Sequence, residues 1–252
     1  EIEQALLDGR IDIAVHSMKD MPAKIPDGLC IGAIPVREDP ADVLISKNGT
    51  YFSKLKQSST IGTSSLRRGA QIRHRRPDIN IVPLRGNVET RLKKLQTENI
   101  EAVVLAAAGI KRLNISHRIT EHLNFDVLLP AVGQGALSIE IRQNDPYIQP
   151  MIQSLDDPHA HAIVMGERAF LNYLGGSCQV PIAGHGLITD NTFRLTGLVA
   201  DLDGSRILKA TLSGPADSTE TIGISLAQQL LDQGADKILE QLQTMESANN
   251  GS

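Results

Sequence analysis

Aromatic residues are scarce: tryptophan is absent, and three tyrosines with four phenylalanines make up 3% of the chain. None lies between Phe52 and Phe125, so that stretch offers no platform for base stacking. The core must be aliphatic, because hydrophobic residues still amount to 41% of 252 positions. That is enough chain to bury more than one domain. The two cysteines, Cys30 and Cys178, are too few for a disulfide framework, so a reducing compartment is the default. No apolar run reaches the length of a membrane span. A net charge of −4 gives no global attraction to nucleic acid or to a membrane surface. The histidines show no zinc-ligand spacing, and neither a GxGxxG loop nor a Walker loop occurs. The chain opens at Glu1 without Met, inside an amphipathic helical pattern. This predicts that a natural N-terminal segment precedes it.

What is present centres on Leu174-Gly175-Gly176-Ser177-Cys178-Gln179-Val180-Pro181-Ile182. A cysteine on a small-residue turn is reachable by a ligand, as thiolate chemistry requires. Packing as a small hydrophobe is the plainer alternative. Upstream, short apolar runs alternate with helical ones, and this spacing predicts parallel βαβ units. Ile11–Val15 reads as a strand running into the polar cluster His16-Ser17-Met18-Lys19-Asp20. Strand ends of α/β sheets are where ligands bind. Ser59–Ser65 reads as a strand followed by a helix from Leu66 to Arg76, capped by Ser64 or Ser65. Ile79–Leu84 and Ala102–Ala108 read as the next strands.

Nine Lys and Arg lie between Leu66 and Lys94, against only Asp78 and Glu89. Most of these suit solvated helix faces. Arg67, Arg68, Arg85 and Arg112 differ, because each lies just beyond a strand end, where side chains converge on one cleft. Arg67 and Arg68 fall in the first turn of a helix, where the dipole disfavours cations. Such a cleft suits carboxylates or phosphates, which arginine grips bidentately. Residues 37–41 and 130–136 read as two hinge crossings, with Leu137–Ile141 a strand added back to the first domain. The expected division is 1–37 with 136–155, then 41–130, then an α+β domain over 157–246. The polar tail from Ser247 reads as disordered.

Five motifs in order resemble the porphobilinogen deaminase (hydroxymethylbilane synthase) family. They are Val15-His16-Ser17-Met18-Lys19-Asp20-Met21-Pro22, Gly62-Thr63-Ser64-Ser65-Leu66-Arg67-Arg68, Leu84-Arg85-Gly86-Asn87-Val88 with Arg91, Ala131-Val132-Gly133-Gln134-Gly135-Ala136, and Gly175-Gly176-Ser177-Cys178-Gln179-Val180-Pro181. The resemblance covers nearly all of Glu1 to Leu242. It implies two periplasmic-binding-protein-like domains on double hinges plus a C-terminal α+β domain. It also implies a transferase that joins four porphobilinogen molecules head to tail, releasing ammonia, into linear hydroxymethylbilane.

By the same resemblance, a dipyrromethane cofactor is attached to Cys178, and Asp20 is the catalytic carboxylate. Lys19, Ser17, Thr63, Ser65, Arg67, Arg68, Arg85 and Gly86 then match cofactor-binding positions. Arg85, Arg91, Arg112 and Gln134 match substrate-binding positions. No metal, nucleic acid or membrane partner is implied. A cytoplasmic monomer is the expectation, with a plastid location left open. The chain departs from the family pattern in lacking its opening strand and helix with a Gly-Thr-Arg-x-Ser-type motif, so the first domain is expected to be incomplete. A nucleic-acid module built on the 66–94 cluster and a non-catalytic receptor of the periplasmic-binding type are the rival readings. The shortage of aromatics weighs against the first, and Cys178 with a third domain against the second.

Overall fold

The computed structural model describes residues 1–176 and 180–250. Helix α1 (Ile2–Leu7) leads into strand β1 (Ala14–Ser17), a single 3-10 turn (Met18–Asp20) and β2 (Leu29–Ala33). The middle of the chain runs β3 (Asp42–Ser46), β4 (Thr60–Gly62), α2 (Leu66–Arg75), β5 (Asn80–Val82), α3 (Val88–Thr97), β6 (Ala102–Ala106), α4 (Ala107–Arg112) and β7 (Glu121–His122). The chain then returns through β8 (Leu137–Arg142) to α5 (Ile148–Ile152) and α6 (Pro158–Tyr173). Strands β9 (Ile182–Thr189), β10 (Thr192–Ala200) and β11 (Ile207–Pro215) precede α7 (Thr219–Leu230) and α8 (Asp236–Asn250). Helix α8 thus continues into the polar tail that was expected to be disordered.

The architecture is α/β with a C-terminal α+β unit. The first sheet has the order β1-β8-β2, the second β5-β4-β6-β3-β7, and the third β11-β10-β9. Parallel pairing holds where a helix connects strands: β4 lies parallel to β5 and to β6. The strands outside that run pair in the other sense. β3 runs antiparallel to β6 and β7, and β8 runs antiparallel to both β1 and β2. The reason is connectivity. β3 and β8 enter their sheets from the crossings rather than from a helix that loops back, so nothing forces them into the parallel sense. The β1 ladder with β8 reaches His16 and Ser17, so these belong to the strand and not to a polar exit loop.

Local chemistry sets the helix limits. The Ser65 hydroxyl accepts from the Arg68 amide and caps α2, which ends before Pro77. Asp157 caps α6 through the Ala160 amide, with Pro158 in the first turn. α6 is capped at Leu174 and followed by Gly175, whose φ of +63° suits glycine. The two crossings lie side by side: the Glu38 amide donates to the Gly135 carbonyl at 3.0 Å. Gly135 has φ +86°, and a side chain there would run into the Glu38 carbonyl. Glu167 on α6 binds both crossings and the third sheet. It receives Arg37 Nη1 and Nη2 at 2.7 and 3.1 Å, and the amides of Gly133 and Gly186 at 2.7 Å each.

The third sheet solves the aromatic shortage locally. Phe193 of β10 and Phe170 of α6, which packs on the sheet, are fully buried, and glycines make room for their rings. A Cβ on Gly197 would stand 2.5 Å from Phe170 Cζ, and one on Gly186 2.6 Å from Phe193 Cε2. Gly197→Ala is therefore expected to destabilise the fold by about 1–3 kcal/mol through overpacking. Urea denaturation checks this, and an unchanged midpoint would show that the ring has room to move.

Candidate active site

The site begins with the short turn after β1. Met18 and Met21 are buried against Ile34, Ala136 and the α6 residues Ala160 and Val164. Anchoring both ends of the turn in this way leaves Lys19 and Asp20 to line the cleft between the sheets. The turn is pinned by the Met18 amide donating to the Ala136 carbonyl at 3.0 Å, and by the Met21 amide donating to Met18 at 3.2 Å. Opposite stands the start of α2, where Ser64, Ser65, Arg67 and Arg68 face the same cavity of about 280 Å³. Arg91 from α3 and Gln134 from the return crossing complete its polar lining. Leu171, Val180 and Ile182 supply an apolar wall from either side of residues 177–179. A second compartment of about 170 Å³ shares Lys19, Arg68 and Arg91 with the first and adds Ser17 and Arg112.

Arg67 and Arg68 have an internal partner that sequence reasoning missed. Asp42, at the start of β3 and fully buried, accepts Arg67 Nη1 on Oδ2 at 2.8 Å. Its Oδ1 accepts Arg68 Nη2 at 2.7 Å and Nε at 3.0 Å. Gln134 Nε2 adds a bond to Oδ1 at 3.0 Å and one to the Pro40 carbonyl at 2.7 Å. Further donors of the two guanidinium groups reach the Leu129 and Val104 carbonyls. The unfavourable helix-start position of the two arginines is thus offset first by a buried aspartate, not by a ligand alone. The sequence signal was an acid opening the otherwise apolar run Ala41-Asp42-Val43-Leu44-Ile45, a position that demands a charged partner.

One carboxylate does not neutralise this lining. Burial would raise the Asp42 pKa, but the charges of Arg67 and Arg68 and their hydrogen bonds bring it down to about 2. Burial and then the charge of Arg68 push the Lys19 ammonium down to about 8, against the pull of Asp20 and Asp42. Arg67 is lowered by burial, which outweighs Asp42, and Arg91 by burial and the charge of Arg68. The buried Arg67 Nε has no hydrogen-bond partner among the described residues. A surplus of positive charge with an unsatisfied donor is the electrostatic signature of an anion site.

The remaining candidates take varied places. Thr63 is buried and lines neither compartment; its hydroxyl accepts from the Ser65 amide at 3.2 Å. Arg85 is exposed and also lines neither. Gly86, with φ +114°, offers its carbonyl to Arg91 Nε at 2.8 Å and so orients that side chain. Cys178 lies outside the described residues. Ser64, Leu171 and Val180 join the cavity although the motif reading assigned them no ligand role.

Two measurements check this electrostatic account. Asp42→Asn leaves two buried guanidinium groups short of charge and is expected to cost about 3–5 kcal/mol, read by urea denaturation. A cost below about 1 kcal/mol would show that solvent already screens the pair. Lys19 releases its proton near 8 in the folded protein and at 10.5 in the unfolded chain. The unfolded state then holds more protons in that window, so Lys19 makes stability rise with pH from about 8 to 10.5. Lys19→Met should remove this rise and be the more stable protein at pH 7. Parallel melting-temperature curves for the two proteins would contradict it.

Residues 1–150 match the family model for the porphobilinogen deaminase dipyrromethane cofactor-binding domain, and residues 162–232 match that for the porphobilinogen deaminase C-terminal domain. The porphobilinogen deaminase of Syntrophotalea carbinolica is 52% identical over 242 residues, 96% of this chain and 77% of that protein. Those of a Geobacillus species and Geobacter metallireducens are 51% and 50% identical, over 96% and 98% of this chain and 78% of each relative. Two solved structures are similar to this chain only distantly. An arginine-specific periplasmic binding protein from Salmonella typhimurium shares 19% identity over 61% of this chain and 68% of that one, with a TM-score of 0.38. A second substrate-binding domain of a putative amino acid transporter from Streptococcus pneumoniae shares 14% over 68% and 71%, with a TM-score of 0.40. Scores this low carry no weight here. The two family models, matched in chain order, and the relatives at half identity decide the matter: the chain belongs to the porphobilinogen deaminase family.

Proposed function

We propose that this chain condenses four porphobilinogen molecules head to tail into linear hydroxymethylbilane, with Asp20 as the catalytic carboxylate. The observation that supports this most is one aspartate facing a cavity otherwise rich in cations and hydroxyls: Lys19, Arg67, Arg68, Arg91, Ser64 and Ser65. Each porphobilinogen brings an acetate and a propionate, so a growing product adds negative charge at every step. A lining of arginine and lysine meets that demand.

The site also suits the family's dipyrromethane cofactor. The unpartnered Arg67 Nε and the surrounding cations fit its carboxylates, and Val132, Leu171 and Ile182 fit pyrrole faces. Arg67, Arg68, Lys19 and Ser65 are the residues that would hold it, with Cys178 as its point of attachment. When bound, it supplies the nucleophilic pyrrole carbon on which the chain is built. Each addition would form one carbon–carbon bond, break the carbon–nitrogen bond to departing ammonia and free one proton from the attacked carbon, and one water would then release the finished chain and supply its terminal hydroxyl. The Asp20 carboxylate stabilises the positive charge left by ammonia and accepts that proton at Oδ. Arg68, Arg91 and Arg112 hold incoming side-chain carboxylates, and Gln134 keeps the Asp42–Arg68 pair in place. We assign residues 1–37 with 136–155, 41–130 and 157–246 as three domains, with the cleft between the first two.

Asp20→Ala is expected to lower turnover by about 10²–10⁴-fold without changing the thermal melting temperature. In the same preparation, peptide mapping around Cys178 should show the mass of a dipyrromethane. Normal turnover in a folded Asp20→Ala protein would defeat the assignment of the carboxylate. An unmodified Cys178 in active protein would defeat the attachment.

A further inference from the structure

Arg168 follows Glu167 on α6 and is 3% exposed. Its Nη2 donates to the carbonyls of Pro22 and Ala23, each at 2.9 Å. Its Nη1 stands 3.8 Å from Met18 Sδ. The guanidinium therefore touches the chain on both sides of Asp20: two residues before it, and two and three after. The Ala136 carbonyl holds the entry to the turn, and Arg168 holds the exit.

Keeping a guanidinium here is costly. Burial lowers its pKa, and the opposing charge is that of Glu140 on β8, with no ion pair to Arg168 among the described residues. Glu140 is itself fully buried, takes His16 Nε2 at 2.9 Å, and leaves Oε1 without a hydrogen-bond partner among the described residues. Ordinary loop carbonyls are satisfied by water or by amides, and neither requires a buried charge. A charged, multi-donor group makes stronger hydrogen bonds than either and holds two carbonyls in fixed relation. The next turn-forming residue on the same helix, Leu171, lines the cavity that Asp20 faces. One helix thus contributes to the cavity wall and fixes the turn opposite it.

We propose that Arg168 is a positioning residue for Asp20, clamping the turn so that the carboxylate keeps one place through successive additions. This rests on Asp20 being the reacting carboxylate. The test uses the cofactor-loaded, full-length enzyme carrying Arg168→Met, which keeps the aliphatic stem and removes the donors, with Arg168→Lys as partial rescue and Asp20→Ala alongside. In Arg168→Met, kcat should fall about 10- to 100-fold, as small misplacements of catalytic groups do, with KM within about twofold. The Met21 amide, bonded to Met18 in the turn, should exchange with deuterium faster. Arg168→Lys should recover part of both effects.

An unchanged kcat overturns the proposal, and so does a loss of kcat without faster Met21 exchange. A joint change of kcat and KM with a lowered melting temperature and no rescue by lysine shows a general structural strut and overturns it too. If Arg168→Met does not fold, Arg168→Lys and Arg168→Gln are judged by the same measures. Normal turnover in Asp20→Ala removes the reading beneath the proposal, because Arg168 would then act on something else. Impaired Asp20→Ala with normal Arg168→Met rejects the proposal alone.

Discussion

The cleft depends on one buried carboxylate. Asp42 draws Arg67, Arg68 and Gln134 onto itself, and these come from α2 and from the return crossing. Without it, two guanidinium groups at the start of a helix would repel each other and the helix dipole. With it, they are fixed in orientation and still exceed it in charge. The result is a rigid lining with net positive potential, which is what repeated binding of carboxylates requires. Preorganisation of this kind is useful because the cost of gathering the cations is met in folding rather than at each binding event.

A second buried carboxylate organises the frame around that lining. Glu167 bonds Arg37 of one crossing, Gly133 of the other and Gly186 of the third sheet. Both crossings are therefore held from α6, whose C-terminal end leads to residues 177–179. The neighbouring Arg168 reaches the turn that carries Asp20. Helix α6 is thus the common support of the hinge region, the acidic turn and the apolar wall formed by Leu171. Buried charge is retained at each of these points, where an aliphatic core would pack with less desolvation. Charged groups thus join the sheets to one another, alongside apolar contacts such as Ala70 and Leu129 against Ala183 and Leu198.

Much of the site was legible as residue chemistry. Lys19, Asp20, Ser65, Arg67, Arg68, Arg91 and Gln134 were singled out from their motifs, and all line one cavity. Arg85 was singled out for the same reason, a place after a strand, but it points elsewhere. Strand ends converge only in the mean, and a loop after the last ladder residue can turn a side chain away. Asp42 stands out only as an acid opening a core-like strand, and nothing local names its partners at positions 67, 68 and 134. Arg168 and Glu167 sit inside a long helical run in which nothing local names their partners.

The sequence by itself determined the aliphatic core, a serine cap at the start of α2, the strand–helix alternation and the identity of the chemical groups. These are short-range properties, carried by side chains within a few positions of one another. The tertiary structure alone decided the antiparallel entry of β3 and β8, the pairing of Asp42 with two arginines, and the clamp of Arg168 on the turn at Asp20. Each joins residues that stand far apart in the chain, and such contacts follow from how the crossings thread between sheets. Periodicity carries no record of that threading, because pairing sense and long-range partners cost nothing in local conformation and are settled only when the sheets pack.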